Sequence, residues 1–295
     1  MVVGTVAIDA IETPFGKRDR VFGGSASYFS YSSSFFTPVS LVAVVGEDFP
    51  QDYQAVLKER PIDLSHLTVQ KGKTFFWRGK YEGDLNSAET LETQLNTLLE
   101  FNPVLKYQNS PAYLFLANID PDLQMKVLKQ AKTAKFVAMD NMNFWIQNKR
   151  EALLRVLKKV DCLVINDGEA KLLTHETNML KAARKIRGFG PRAVVIKKGE
   201  HGVFLLYDQE FFVLPAFPVD NVLDPTGAGD SFAGGFMGYL TLSKDITFNS
   251  MKRAVATGTI MASFTVQDFG LEALRKVTKK DLELRLDFFQ RMISF

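Results

Sequence analysis

Short apolar runs alternate with mixed, helix-like segments along most of this 295-residue chain. Apolar runs of roughly four to eight residues between turn residues are typical of strands buried in a parallel sheet. The chain has such runs at 2–8, 40–46, 112–117, 135–139, 161–165 and 193–197. Helical patterns occur at 51–58, 122–131, 149–160 and 253–263. The alternation predicts an α/β fold in which a mostly parallel sheet is sandwiched by helices.

Two further segments, at about 11–22 and 72–84, do not fit this alternation. The second is rich in aromatic residues and predicts a strand, whose side chains would alternate between two faces. One face would carry Phe75, Trp77 and Tyr81. Together the two segments predict a small separate sheet. An ordinary edge hairpin, or an oligomer contact through the same aromatic residues, stays open as an alternative.

The composition is ordinary for a globular protein, with 46% hydrophobic and 23% charged residues. The net charge of +3 (36 basic less 33 acidic residues) is too small to indicate nucleic acid. No apolar run approaches the ~18 residues of a membrane span, and the first residues lack the pattern of a signal peptide. The single cysteine, Cys162, excludes an internal disulfide and is typical of a reducing compartment such as the cytoplasm.

The most informative stretch is 224–230, Asp-Pro-Thr-Gly-Ala-Gly-Asp, which precedes an apolar helical pattern. Gly227 and Gly229 allow close approach of the backbone to a ligand and positive φ. The first turn of a helix offers free N–H groups and a dipole that favours anions. The stretch therefore predicts a phosphate pocket, with Asp230 placed to take a proton from a hydroxyl that attacks phosphorus. A tight turn with a first-turn carboxylate is the structural alternative.

At these residues the chain resembles the ribokinase-like sugar and nucleoside kinases of the PfkB family, whose signature reads D-T-x-G-A-G-D. This chain has proline in the second place and Thr226 in the third. The resemblance covers nearly the whole chain and implies a ribokinase-like fold with a small β lid, in one kinase domain over 1–295. It also implies that ATP binds at this loop, Thr226 included, and that Asp230 is the catalytic base. The residues implied in the anion hole are Gly227, Ala228 and Gly229.

Three features nearer the start of the chain are candidates for substrate binding. Asp9 follows the first predicted strand, and ligands of open α/β sheets lie at the carboxyl ends of strands. A turn-forming aspartate fits equally well, but the resemblance implies that Asp9 binds substrate hydroxyls. Gly23 and Gly24 are by themselves typical of a turn, and the resemblance implies a substrate site and lid hinge there. Tyr28 stands near the position at which relatives often have an asparagine. The resemblance therefore does not carry the sugar contacts of that asparagine over to this chain.

The resemblance also indicates where ATP phosphates and Mg²⁺ bind. Relatives have an aspartate and an asparagine near the phosphates at the end of the strand 135–139, here Asp140 and Asn143. Asn166 and Glu169 match the family's N-x-x-E motif. Mg²⁺ keeps several waters in proteins, so Glu169 would hold it through water. The same two residues fit a capping box at a helix N-terminus, which explains them without a metal.

Relatives also contact the nucleotide near a glycine-containing turn, which in this chain follows the strand 193–197. Its residues are Lys198, Gly199 and Gly202. The segment 264–270 would flank the adenine pocket. In some relatives that region and the first aspartate of the signature, here Asp224, bind K⁺. The resemblance therefore admits K⁺ as a further cofactor without requiring it.

These features predict an ATP-dependent kinase that phosphorylates a hydroxymethyl group of a small sugar, with an adenosine-like nucleoside as the alternative acceptor. A nucleotide-binding regulatory protein without turnover is the alternative from another class, and the intact Asp230 argues against it. The chain has no GxxxxGK[ST] loop and no GxGxxG at its first strand, which argues against a P-loop and a Rossmann dehydrogenase. We expect neither nucleic acid nor membrane as a partner. The resemblance admits a homodimer through the lid.

Overall fold

The computed structural model describes residues 1–83, 85–105 and 111–294. Within these ranges the strands are β1 (Val2–Val3), β2 (Ala7–Thr13), β3 (Gly16–Gly23), β4 (Val39–Gly46), β5 (Ile62–Gln70), β6 (Phe75–Tyr81), β7 (Ala88–Gln94), β8 (Tyr113–Leu116), β9 (Phe136–Met139), β10 (Cys162–Asn166), β11 (Ala193–Lys197), β12 (Val203–Tyr207) and β13 (Glu210–Leu214). The α-helices are α1 (Ser25–Ser33), α2 (Gln51–Lys58), α3 (Pro121–Gln130), α4 (Asn143–Asn148), α5 (Arg150–Leu157), α6 (Asp167–Thr174), α7 (Met179–Arg187), α8 (Ala228–Ser243), α9 (Phe248–Thr265), α10 (Glu272–Lys276) and α11 (Lys279–Ile293). Short 3-10 helices lie at Asn96–Glu100 and Gly199–His201.

The large sheet has nine strands in the order β13-β12-β11-β10-β9-β8-β1-β4-β5. From β11 to β5 all neighbouring strands are parallel. At one edge, β12 and β13 form an antiparallel hairpin beside β11. The predicted mostly parallel sheet is therefore confirmed, and its strands end together at one rim.

Two hydrophobic clusters cover the two faces of the large sheet. In β8, Phe115 belongs to one cluster and its neighbours Leu114 and Leu116 to the other, as strand alternation requires. The first cluster includes residues of α1, α8 and α9, and the second includes residues of α3, α5, α6 and α7. Because helices cover both faces, the parallel strands are apolar along their length. No described helix is long and apolar enough to cross a membrane.

The small sheet has four strands in the order β3-β2-β6-β7. Strand β2 is antiparallel to β3 and parallel to β6, and β6 is antiparallel to β7. The segments at 11–22 and 72–84 supply β3, part of β2 and β6. Strand β7 was not predicted, because its sequence Ala-Glu-Thr-Leu-Glu-Thr-Gln is polar and mostly exposed.

The prediction of one strand over 2–8 is wrong. Strand β1 of the large sheet covers only two of these residues, and β2 then starts the small sheet. Gly4 lies at the break, where a Cβ would be 2.6 Å from the Cβ of Ala117. The chain therefore leaves the large sheet at this close contact, and Asp9 lies on β2 rather than at the end of a large-sheet strand.

The aromatic strand β6 separates its side chains as alternation predicts. Trp77 and Tyr81 join a small apolar cluster with Phe269. This cluster lies on the side of the small sheet that faces the loop 224–230, called the signature loop below. On the other side the guanidinium of Arg78 lies 5.8 Å from the centre of the Phe76 ring. The predicted division of faces is confirmed for these β6 residues.

We expect Gly234→Ala to destabilise the protein, although alanine is normally the better helix residue by about 0.5–1 kcal/mol. Gly234 lies where α8 packs on α1, and a Cβ there would be 2.5 Å from the Phe29 carbonyl oxygen. Overpacking of this kind costs about 1–3 kcal/mol, which is about 2–6 °C in melting temperature for a chain of this size. Leu242→Ala, at an exposed position of the same helix, is the control in thermal unfolding. An unchanged or higher melting temperature for Gly234→Ala would contradict the close α1–α8 contact.

Candidate active site

The carboxyl ends of β9, β10 and β11 meet the start of α8 at one rim of the large sheet. Asp140 follows β9, while Asn166 and Lys197 end β10 and β11 and are paired in register. The Nζ of Lys197 is 3.3 Å from a carboxylate oxygen of Asp140. It is also 2.7 Å from the point where a Cβ of Gly229 would lie. The strand ends are therefore adjacent to the signature loop.

Gly227 is the N-cap of α8 and has the left-handed φ of +76°. A Cβ on Gly227 would overlap the ring of Tyr28, so only glycine fits this turn. The expected positive φ is wrong for Gly229, which lies inside the first helical turn. Gly229 instead lacks a Cβ where the Lys197 side chain passes.

The backbone amides at the start of α8 differ in their hydrogen bonds. The Ala228 N–H donates to the Pro225 carbonyl oxygen at 3.1 Å. The described residues offer no acceptor to the amides of Gly227, Gly229 and Asp230. Free amides at a helix N-terminus form a site for an anion. Of the three residues expected in the anion hole, Gly227 and Gly229 therefore have amides available and Ala228 does not.

Asp224 shapes the signature loop from inside the protein. Its carboxylate is fully buried and accepts N–H bonds from Thr226 at 2.9 Å and from Gly270 at 3.4 Å. Burial raises the pKa of Asp224, and these bonds oppose the shift. The Thr226 hydroxyl is hydrogen-bonded to the Tyr81 hydroxyl of β6 at 3.2 Å. This hydrogen bond joins the loop to the small sheet.

Asp230 lies in the first turn of α8 and is half-buried. Burial raises its pKa to about 7, the Asp140 charge adds to the shift, and Lys197 opposes it. A carboxyl group that titrates near neutral pH is suited to accept a proton from a hydroxyl. Its position beside the free amides makes it the candidate base of the site.

Asp9 is buried, with 4% of its surface exposed, and it accepts the N–H of Gly24. A Cβ on Gly23 would overlap the Asp9 carboxylate, which explains the glycine at this position. Burial raises the pKa of Asp9 to about 8, and the charges of Asp224 and Asp230 add to the shift. The structure therefore brings the predicted substrate residues Asp9, Gly23 and Gly24 close to the signature loop, although on a different strand than expected.

Tyr28 lies in α1 with its ring against Gly227. Its hydroxyl is buried and has no hydrogen-bond partner among the described residues. Burial, followed by the charges of Asp224 and Asp9, raises the pKa of Tyr28 well above its usual value. An unsatisfied buried donor costs about 1–3 kcal/mol. A polar ligand beneath the small sheet would relieve this cost.

Asn166 and Glu169 form a capping box at the start of α6. The Asn166 side chain accepts the Glu169 N–H at 2.8 Å, and the Glu169 carboxylate accepts the Asn166 N–H at 3.0 Å. Burial and the charge of Asp140 raise the pKa of Glu169 to about 8. The capping box, which was the structural alternative for this motif, is therefore present. Its hydrogen bond to the Asn166 N–H uses one of the two Glu169 carboxylate oxygens.

The donor set at this rim fits a magnesium ion held mainly by water and phosphate. Within the described residues, no three His, Cys, Asp or Glu side chains are grouped so that they could hold a metal ion. Mg²⁺ binds through one or two carboxylates and keeps several waters. The remaining oxygen of Glu169 is suited to contact such waters.

The other residues predicted to contact the nucleotide have fewer contacts that would explain such a role. Asn143 is exposed at the first turn of α4, whereas neighbouring Asn141 is buried with both side-chain polar atoms unpaired among the described residues. Gly199 and Gly202 have positive φ, and the Lys198 N–H donates to the Gly202 carbonyl at 2.8 Å. The tight turn explains both glycines, and nucleotide contact at this turn stays a prediction.

Sequence reasoning missed Lys197 entirely. A lysine that ends a strand is usually exposed, yet only 17% of this side chain is exposed. The signal available in the sequence was its position, because β11 is otherwise apolar and ends at the same rim as Asn166. Asn141 was overlooked in a similar way, since it stands between two residues that the family resemblance selected.

We expect Asp9→Asn to stabilise the ligand-free protein increasingly as pH rises. The pKa of Asp9 is raised to about 8 in the folded protein, so the folded state favours the protonated form. The stability that the protonated Asp9 carboxyl group contributes is present at low pH and is lost as pH rises toward 8. Asparagine keeps an acceptor for Gly24 without the charge. The difference in melting temperature between variant and wild type should therefore grow from pH 5 to 8 and then level off.

Asp19→Asn, on the exposed part of β3, is the matched control and should show no such trend. A melting-temperature difference for Asp9→Asn that is the same at pH 5 and pH 9 would show that Asp9 is not held as a buried acid.

Comparison with known proteins identifies the family. The model of the pfkB family carbohydrate kinases matches residues 1–276. A cytidine kinase of Thermococcus kodakarensis is 31% identical over 242 residues, which cover 80% of this chain and 86% of the relative.

Solved structures agree with this match. The nucleoside kinase of Methanocaldococcus jannaschii superposes with a TM-score of 0.78 at 22% identity, covering 97% of this chain and 98% of that one. A putative ribokinase II from E. coli, in complex with ATP and Mg²⁺, gives a TM-score of 0.75 at 18% identity and covers 98% of each chain. These likenesses show the ribokinase-like fold. Since the family match spans most of the residues, the chain belongs to the pfkB family of carbohydrate kinases and is an ATP-dependent kinase that phosphorylates an alcohol group.

Proposed function

We propose that the chain transfers the terminal phosphoryl group of ATP to a hydroxymethyl group of a nucleoside or small sugar, with Asp230 as the general base. The observation that carries the proposal is the position of Asp230 in the first turn of α8, beside the free amides of Gly227 and Gly229. Its pKa near 7 supports the role, because burial makes this carboxyl group a much better proton acceptor than an exposed aspartate.

In the proposed step, Asp230 takes the proton of the acceptor hydroxyl while the oxygen of that hydroxyl forms a bond to the terminal phosphorus. The bond from this phosphorus to the bridging oxygen breaks, and the electron pair leaves with ADP. The amides of Gly227 and Gly229 donate to the phosphoryl oxygens, where negative charge is concentrated.

Asp9 and Tyr28 hold the acceptor in this proposal. Asp9 is a buried carboxylate and can accept hydrogen bonds from substrate hydroxyls. It interacts electrostatically with Asp224 and Asp230 of the signature loop. The Tyr28 hydroxyl, which has no partner among the residues that the structure describes, offers a hydrogen bond to the same molecule. Gly23 leaves the room that Asp9 needs, and Gly24 donates its N–H to the Asp9 carboxylate. These residues would orient the hydroxymethyl group toward Asp230.

Mg²⁺ would neutralise part of the phosphate charge when bound with ATP. Glu169 would contact its waters, and Asn166 would keep that carboxylate in place through the capping box. The turn at Lys198 and the exposed Asn143 stay in the proposal as nucleotide contacts. The proposed step does not require K⁺, and we leave it out.

Of the two acceptor classes we place the nucleoside first. The cytidine kinase relative is similar over most of both chains, and Tyr28 replaces the asparagine expected for a sugar site. Trp77 and Tyr81 form an aromatic surface on the side of the small sheet that faces the loop, where a base could stack. A small sugar is the second candidate, because the family as a whole is described as carbohydrate kinases.

We further propose that the chain forms one kinase domain, 1–295, in which the small sheet is a lid. The small sheet and the segment after it leave Phe15, Leu91 and Leu95 exposed, which supports a homodimer through the lid. The one cysteine, Cys162, is buried and free, which supports a reducing, cytoplasmic compartment.

We expect Asp230→Asn to lower kcat by about 10²–10⁴-fold, the usual effect of removing a general base. Binding of ATP and of the acceptor should change little, because asparagine has nearly the same size. Asp287→Asn, on the exposed side of α11, is the control. A kcat near the wild-type value in Asp230→Asn would remove this residue from the role. ATP binding without transfer to any acceptor in the wild type would instead favour a regulatory protein.

The acceptor class can be tested by pairing a kinetic screen with fluorescence of Trp77. A Trp145→Phe background leaves Trp77 as the one tryptophan. If the small sheet closes over the acceptor, saturating acceptor should change the Trp77 emission, with nucleosides giving the higher kcat/KM. Turnover without any emission change would contradict the lid role. A response to sugars alone would reverse the order of the two classes.

A further inference from the structure

Lys197 is a buried lysine that the proposed transfer step does not use. Its Nζ lies 3.3 Å from Asp140, and 17% of its side chain is exposed. Burial by itself would lower the pKa of Lys197, but the charges of Asp140, Glu169 and Asp230 raise it. The side chain is therefore a protonated ammonium at neutral pH.

The ammonium of Lys197 lies beside the N-terminus of α8. Its Nζ, Cε and Cδ would be 2.7, 3.6 and 3.9 Å from a Cβ on Gly229, so the ammonium end of the side chain reaches the backbone at this residue. A cation is disfavoured at the positive end of a helix dipole. The free amides of Gly227 and Gly229 add further donors at the same place. The ammonium and the amides converge here, and together they are suited to an anion with several oxygens.

We propose that Lys197 is a further catalytic residue, whose ammonium contacts the oxygens of the phosphoryl group in transfer. Asp140 is its positioning residue, because the ion pair holds the ammonium beside the α8 amides. The proposal rests on the proposed role of this helix N-terminus and of Asp230. A Cβ on Gly229 would displace the Lys197 ammonium from this place.

The chemistry of the step favours a cation at this point. The transferring phosphoryl group spreads its negative charge over three oxygens, and fixed positive charge stabilises it. Asp140, Glu169 and Asp230 are all within electrostatic reach of Lys197. Without the lysine, phosphate oxygens would enter a site that carries only carboxylates and amides. The competing explanation is an ion pair with Asp140 that merely stabilises the rim.

Comparison of two nucleotides in Lys197→Met distinguishes these explanations. A lysine that contacts the terminal phosphoryl group should matter for Mg²⁺ with AMP-PNP, which has that group, and not for Mg²⁺ with ADP. We expect the Kd of AMP-PNP to rise about tenfold or more while that of ADP stays within about twofold. We also expect kcat to fall about 10²–10³-fold, with the acceptor KM unchanged.

The pH profile gives a second readout. Lys197 lowers the pKa of Asp230, whereas burial and Asp140 raise it. The charges of Asp9 and Glu169 also act in this cluster. Loss of the lysine should therefore move the acid limb of the kcat profile to higher pH. This displacement tests whether the Lys197 charge acts on Asp230, and the comparison of AMP-PNP with ADP tests whether the ammonium also contacts the phosphoryl group.

Lys185→Met is the matched control, because Lys185 pairs with Glu176 at the surface of α7. Lys197→Gln is the second variant if Lys197→Met does not fold, since glutamine still donates to Asp140. Equal weakening of AMP-PNP and ADP, or a kcat within about threefold of the wild type, would overturn the proposal. Asp230→Asn separates it from the proposed function, because loss of the base should leave the Kd values of both AMP-PNP and ADP near those of the wild type.

Discussion

The accumulation of buried carboxylates at the start of α8 is the constraint on which the rest of the site depends. Burial raises the pKa of Asp9 and Glu169 to about 8 and of Asp230 to about 7. The charge of Asp230 adds to the first two shifts, and the charge of Asp140 adds to the shifts of Glu169 and Asp230. The protein offsets this repulsion with backbone N–H donors, with the α8 dipole and with Lys197. Since protonation also relieves it, part of the stability of the ligand-free protein is lost as pH rises from the ordinary carboxyl range toward these values, and the loss levels off above them.

Much of the fold could be predicted from the pattern of apolar residues, because the strands of a sheet covered on both faces are apolar along their length. The break of the first predicted strand into β1 and β2 could not be predicted in this way. Gly4 has no local signal that separates a strand residue from a break, and the reason for the break is its contact with Ala117, which is distant in sequence. Strand β7 was missed because an exposed strand of a small sheet needs no apolar face.

The candidate site could likewise be predicted only in part. The run 224–230 identified the helix N-terminus and Asp230, because glycines and a carboxylate at that spacing have few other uses. The reasons for individual glycines depend on partners from other strands: Gly23 makes room for Asp9, and Gly229 for Lys197. A sequence shows that a glycine is present but not which side chain occupies the space it leaves. Lys197 was overlooked for this reason.

The small sheet and the signature loop are mechanically joined. The Thr13 hydroxyl of β2 donates to the Leu223 carbonyl at 2.9 Å, and Tyr81 of β6 is bonded to Thr226. These contacts lie on either side of Asp224, whose carboxylate fixes the loop. Because the same loop presents the free amides of α8, movement of the small sheet over an acceptor would be transmitted to the phosphate site. If the small sheet is the lid that we propose, its closure over the acceptor and the final arrangement of the anion site would be coupled through these contacts, and the coupling would limit transfer of the phosphoryl group to water.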